Sequence, residues 1–145
     1  MKINQAGLDI VKEFEGCKLT AYLCPASVWT IGYGHTGADV YRGLTITQDR
    51  ADELLANDLS FFEKRVFQLV GSAPTNENQF SAFVSLCYNI GPSAFSKSSA
   101  LREHKAGNYK LAASKMMLWN KAGGKVLAGL IRRRKAESEL YALPV

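Results

Sequence analysis

The chain has 145 residues, 47% of them hydrophobic, enough to bury one core without covalent cross-links. Its three cysteines, Cys17, Cys24 and Cys87, are an odd number, which excludes a full disulfide framework and fits folding in a reducing compartment. The net charge of +5 is uneven: residues 1–96 carry 7 basic and 10 acidic side chains, whereas residues 97–135 carry 11 basic side chains against Glu103 alone.

No apolar run reaches the roughly 20 residues that span a bilayer. Asp9, Glu13 and Glu15 occupy the stretch where an export signal would be basic and then apolar, so no such signal is expected. Over residues 4–15, Leu8, Val11 and Phe14 recur at helical spacing with Ile10 beside them, and Gly16 follows as a stop. The spacing predicts a short amphipathic helix ending on the carboxylate of Glu15. From Lys18 to Thr36 the pattern changes to short runs of Thr, Tyr, Val, Trp and Ile, interrupted by Cys24-Pro25-Ala26-Ser27 and by Gly32 and Gly34. That reads as a small β-hairpin or three-stranded ribbon.

Thr47 is a good N-cap, with Asp49 in the first turn, for a long helix whose stripe runs through Leu54, Leu55, Leu59, Phe62, Val66 and Leu69 to Gly71. Pro74 and Thr75 open a second apolar helix bearing Phe80, Phe83, Val84, Cys87 and Tyr88, predicted to be the most buried and stopped by Asn89 to Pro92. Shorter helices are predicted over 99–105, 109–119 and 126–141, with Gly107 and Gly123-Gly124 as breaks. The expected fold class is α+β, mainly α, in a single domain over 1–145. A small β-containing lobe of about 14–60 and a helical lobe of 61–145, with the N-terminal helix packed on the latter, should form a cleft.

Glu15 falls where helix meets ribbon. A carboxyl there can act as a general acid if it holds its proton until a leaving oxygen takes it. Cys24 follows after eight intervening residues and Thr30 after five more. Hydrolysis of a glycosidic bond needs a proton donor on one side and a group that orients water on the other. A thiol of lowered pKa beside a hydroxyl could fill the second role. Taken singly, these are a solvated helix-end Glu, a small packing Cys and a strand-forming Thr.

Together, Phe14-Glu15-Gly16, the two gaps, and Ile31-Gly32-Tyr33-Gly34-His35-Thr36 resemble the catalytic segment of the T-even and lambdoid phage lysozymes, glycoside hydrolase family 24. The similarity continues through Leu44-Thr45-Ile46-Thr47, Leu86-Cys87-Tyr88-Asn89-Ile90-Gly91, Trp119, Ala122-Gly123-Gly124 and Gly129-Leu130-Ile131-Arg132-Arg133-Arg134. The resemblance implies a lysozyme-like fold and hydrolysis of the β-1,4 bond between N-acetylmuramic acid and N-acetylglucosamine in peptidoglycan. Glu15 matches the general acid, Cys24 a position that is aspartate in the T-even enzymes, and Thr30 the threonine that helps hold an attacking water, with inversion at the sugar. Thr36, Tyr88 and Ser98 match positions lining the sugar cleft, while Ala113 stands where the family has an asparagine.

An unperturbed thiol is mostly protonated at neutral pH, so Cys24 is either held as a thiolate by its site or positions water; positioning is the preferred expectation. His35 is expected to be structural. The histidines and cysteines lack metal-ligand spacing, so no metal and no cofactor is expected. Of Arg132 to Arg134, one guanidinium is expected near Glu15 and the others in solvent.

The implied partner is peptidoglycan, with anionic envelope polymers attracted by the basic C-terminal part. No nucleic acid partner is expected, and the chain should be a monomer. The family implies an endolysin held in the host bacterial cytoplasm until a holin pore releases it to the wall. The alternatives are a lytic transglycosylase acting on the same bond, or a basic helical protein that binds nucleic acid or membranes. In the latter the ribbon motif has no task.

Overall fold

The structure, a computed structural model, describes residues 1–145. In chain order it contains α1 (Gln5–Glu15), β1 (Lys18–Leu23), β2 (Trp29–Gly32), β3 (His35–Thr36), α2 (Gln48–Val70), α3 (Glu77–Ile90) and α4 (Pro92–Ser96). There follow α5 (Ser99–Lys105), α6 (Tyr109–Met116), β4 (Lys121–Ala122), β5 (Lys125–Val126) and α7 (Ala128–Ala142). The expected α+β class, mainly α, is the one observed. The chain divides into two compact units, Lys12–Phe61 and Met1–Val11 with Phe62–Val145.

In the unit Lys12–Phe61, β1, β2 and β3 form an antiparallel meander in which Tyr22 lies opposite Thr30, and Thr30 opposite Thr36. Directly opposed residues project to the same face of an antiparallel sheet, so these three share one. The free edge of β1 is paired by the 44–46 segment: Ala21 N donates to Leu44 O and Ile46 N to Leu19 O, both at 2.9 Å. A small sheet is marginal unless something covers a face. Here Ile31, Val40 and Leu54 form a buried cluster with Ala21, Trp29, Leu44 and Ile46 packed around it, so the first half of α2 supplies the cover. Thr47 Oγ1 accepts from Arg50 N at 3.1 Å, which is the predicted cap of α2.

In the larger unit, α3 is the buried element, with every residue from Asn78 to Cys87 out of solvent. Phe83 stands at its centre, with the rings of Phe95, His104 and Tyr141 at 5.1, 5.0 and 5.1 Å. The N-terminal segment is tied on by polar bonds: Asn4 N donates to Ser81 Oγ at 2.9 Å and Ile3 N to Glu63 Oε2 at 2.7 Å.

Four sequence expectations need correction. The cap of α3 is Asn76, in a reciprocal capping box with Gln79, so the helix opens after Thr75 rather than at it. The stop at Asn89 to Pro92 is also a start: Gly91, at φ 93 and ψ 154, takes a conformation open only to glycine, and Pro92 then begins α4 at the first helical position. The predicted helix 126–141 begins at Ala128, because Gly123 and Gly124, at φ 59 and 78, make a hairpin turn that pairs β4 with β5. Finally, Arg133 and Arg134, expected in solvent apart from one, are both buried, at 2% and 0% exposure. Arg133 Nε lies 3.1 Å from Glu137 Oε2 and Arg134 Nη1 lies 2.9 Å from Glu137 Oε1, while Arg134 also bonds to Asn89 Oδ1.

Candidate active site

The turn between β1 and β2 creates the most distinctive chemistry in the small unit. Cys24 N donates to Val28 O at 3.1 Å and Ser27 N to Cys24 O at 2.8 Å, and Ser27 takes the left-handed conformation at φ 61. This tight closure turns backbone N–H groups toward the Cys24 sulfur. The thiol pKa is lowered, first by the N–H of Val28, then by that of Ala26, with the Thr30 hydroxyl and the residue's own N–H adding to them against a smaller cost of desolvation. The Cys24 thiol therefore ionises more readily than an unperturbed cysteine.

Thr30, 4% exposed, places Oγ1 2.9 Å from Val28 O. A hydroxyl has one proton, so it serves either that carbonyl or the Cys24 sulfur at a given moment. The switch to sulfur is favoured once the thiol ionises. Glu15 is the last residue of α1, half-buried, in the same unit as Cys24 and Thr30. Tyr22 links the two sides: its pKa is raised by burial, then by the charge of Cys24, then by that of Glu15, so its ring lies within electrostatic reach of both. Sequence reading passes over Tyr22. Period-two alternation, which puts it two residues before Cys24 and on the same strand face, is the one signal that marks it.

Thr36 is exposed on β3 next to Thr30. The other two expected sugar contacts belong to the larger unit. Tyr88 is half-buried near the end of α3, its ring edge-on to Phe62 at 5.0 Å. Ser98 is 4% exposed and caps α5, donating to Phe95 O at 2.7 Å and accepting from Leu101 N at 3.2 Å. Its hydroxyl is thus engaged in holding a helix end.

His35 sits between two carboxylates, with Nδ1 2.8 Å from Asp58 Oδ2 and Nε2 3.1 Å from Asp39 Oδ2. Burial alone would lower its pKa, but the hydrogen bonds to Asp58 and Asp39 and their charges outweigh that and raise it. Asp39 is lowered in return, chiefly by its bond to His35. A raised folded pKa stabilises fully below the unfolded imidazole value and fades as pH rises through the folded one; for Asp39 the contribution fades as pH falls through its depressed value. His35→Gln should therefore cost about 1–3 kcal/mol near about pH 6, carried mainly by Asp58 because exposed Asp39 is screened, and clearly less in alkali. Urea denaturation across pH checks this; equal losses at all pH values would remove the charged bridge from the account.

Comparison with known proteins places this site in context. The phage lysozyme family model matches residues 12–137. An endolysin of Bacillus phage B103 is 40% identical over 143 residues, 97% of this chain but 54% of that protein. The chain thus spans about half the length of that relative. An endolysin of Salmonella phage P22 is 41% identical over 145 residues, covering 97% of this chain and 98% of that one. Among solved structures, the muramidase domain of SpmX from Asticaccaulis excentricus superposes with a TM-score of 0.91 at 41% identity, covering 99% of both chains. The family match spans α1 to α7 and includes every residue of the Glu15, Cys24 and Thr30 group, so the chain belongs to the phage lysozyme family.

Proposed function

We propose that the chain is a peptidoglycan-cleaving lysozyme that hydrolyses the β-1,4 bond between N-acetylmuramic acid and N-acetylglucosamine. The observation that carries this reading is the backbone cradle that favours a Cys24 thiolate with the Thr30 hydroxyl beside it, in the unit that also holds Glu15. In the proposed step, protonated Glu15 gives its proton to the glycosidic oxygen as the bond from that oxygen to the sugar C1 breaks. Water held by Thr30 attacks C1 from the opposite face and passes its proton to the Cys24 thiolate. One water is consumed, the configuration at C1 inverts, and a proton exchange with solvent restores both side chains.

Three outcomes test the reading. Product analysis on purified peptidoglycan should show a free reducing end, inverted when first formed; an anhydro sugar end would make the enzyme a lytic transglycosylase instead. Cys24→Ala should lose about 100-fold or more in kcat, the usual worth of a positioned base, whereas Cys24→Asp should keep substantial activity. The rate should climb with pH through the lowered thiol pKa, and that limb should move into the carboxylate range in Cys24→Asp. A fully active Cys24→Ala protein would take the thiol out of the mechanism.

No helix is long and apolar enough to cross a membrane. In this reading a monomer waits in the bacterial cytoplasm for a holin pore, and the exposed part of the basic 97–135 stretch draws it to anionic envelope polymers. Burial of Arg133 and Arg134 takes two cations out of that surface.

A further inference from the structure

The Tyr22 phenol is a polar group with no task inside the protein. It is opposed to Thr30 across the β1–β2 pair, so its ring projects to the Thr30 face of the sheet. Its side chain is 36% exposed, it takes part in no hydrogen bond, and the influences on its ionisation are burial and the charges of Cys24 and Glu15 alone. A phenol exposed to this extent, with no hydrogen bond inside the protein, is open to a ligand at the surface. Burial first, then the charges of Cys24 and Glu15, raise its pKa, so the phenol keeps its proton and has an O–H to donate.

The ligand expected at this face, on the proposed lysozyme reading, is a sugar carrying an acetamido group. Its amide carbonyl is the best neutral acceptor on the ring, stronger than a hydroxyl, and removal of the acetyl group leaves an ammonium that accepts nothing. We propose that Tyr22 is a specificity residue, whose phenol donates to the acetamido carbonyl of a bound sugar and so distinguishes N-acetylated from de-N-acetylated glycan. The ring packs against the sugar, and the O–H reads the substituent. Thr30 and Cys24 keep the water side free for attack.

The inference rests on the proposed function but is tested apart from catalysis. In a Glu15→Gln background, muropeptide oligomers and the same oligomers after enzymatic de-N-acetylation are titrated calorimetrically against Tyr22 and Tyr22→Phe proteins. Tyr22→Phe should weaken binding of the acetylated oligomers about tenfold, the worth of one good hydrogen bond, and leave the de-N-acetylated ones unchanged. Tyr22→Leu, which removes the ring, should weaken both. In the active enzyme, Tyr22→Phe should lower the ratio of kcat/KM on acetylated over de-N-acetylated glycan by the same factor.

An equal loss on both ligands, or no loss on either, overturns the inference; a melting temperature within a few degrees of wild type shows that the variants fold. If selective binding persists while the wild-type protein cleaves nothing, the lysozyme reading fails and the Tyr22 contact stands. If cleavage is normal but the selectivity is absent from both proteins, the Tyr22 contact alone fails.

Discussion

Glu15→Gln should abolish clearing of a peptidoglycan suspension, with a fall in rate of about 1,000-fold or more against wild type assayed beside it. Glutamine keeps the length, the volume and much of the hydrogen-bonding capacity of glutamate, so the end of α1 should be preserved. What it lacks is a proton that can be transferred. A sugar alkoxide is a poor leaving group, and loss of general-acid assistance alone is worth about 100- to 10,000-fold. The upper part of that range applies because the proposed water attack gains little while the leaving oxygen remains unprotonated. Thermal unfolding of the two proteins should agree within a few degrees, which separates chemistry from folding. A variant retaining a tenth of the activity would place the acid on another carboxyl.

The second large effect concerns stability. Glu137 is completely buried on α7, with Arg133 and Arg134 at 3.1 and 2.9 Å and the Ser85 hydroxyl donating from α3 at 2.5 Å. Burial pushes the Glu137 carboxyl above its usual range, and Arg134, Arg133 and Ser85 act against that shift. Removing the carboxylate takes away a counter-charge that both buried guanidinium groups share, and breaking a buried pair in this way costs about 3–5 kcal/mol. Glu137→Ala should therefore lower the urea midpoint sharply or prevent folding. Replacing Glu137, Arg133 and Arg134 together by apolar residues of similar volume should be less damaging, because the group's own charges are then removed together. If Glu137→Ala alone were within 1 kcal/mol of wild type, the buried ion group would contribute almost nothing.

These two sites show what the sequence does and does not make legible. The start of α2 is readable because its cap, Thr47, and its apolar stripe are both local features. The burial of Arg133 and Arg134 is not: an arginine run on its own looks like a solvent face, and only Ser85 and Asn89, 45 to 48 residues away, reveal its inward direction. Two-residue strands such as β4 and β5 are too short to carry a periodic pattern. At the candidate site the residue types and gaps of Glu15, Cys24 and Thr30 are visible in the sequence, whereas the N–H groups that favour the Cys24 thiolate depend on how the chain turns at Ser27. Tyr22 escapes notice because an aromatic residue in a strand is ordinarily packing.

The way the Cys24 turn is built has a further consequence. Its anion-holding donors come mainly from peptide groups at Val28 and Ala26, which persist whatever side chain occupies position 24. A short acid of either kind, sulfur or oxygen, would inherit the same welcome without any change to its neighbours. Exchange between the two alters one side chain and leaves these peptide donors in place, whereas insertion or deletion between Cys24 and Val28 would dismantle the receptor for both.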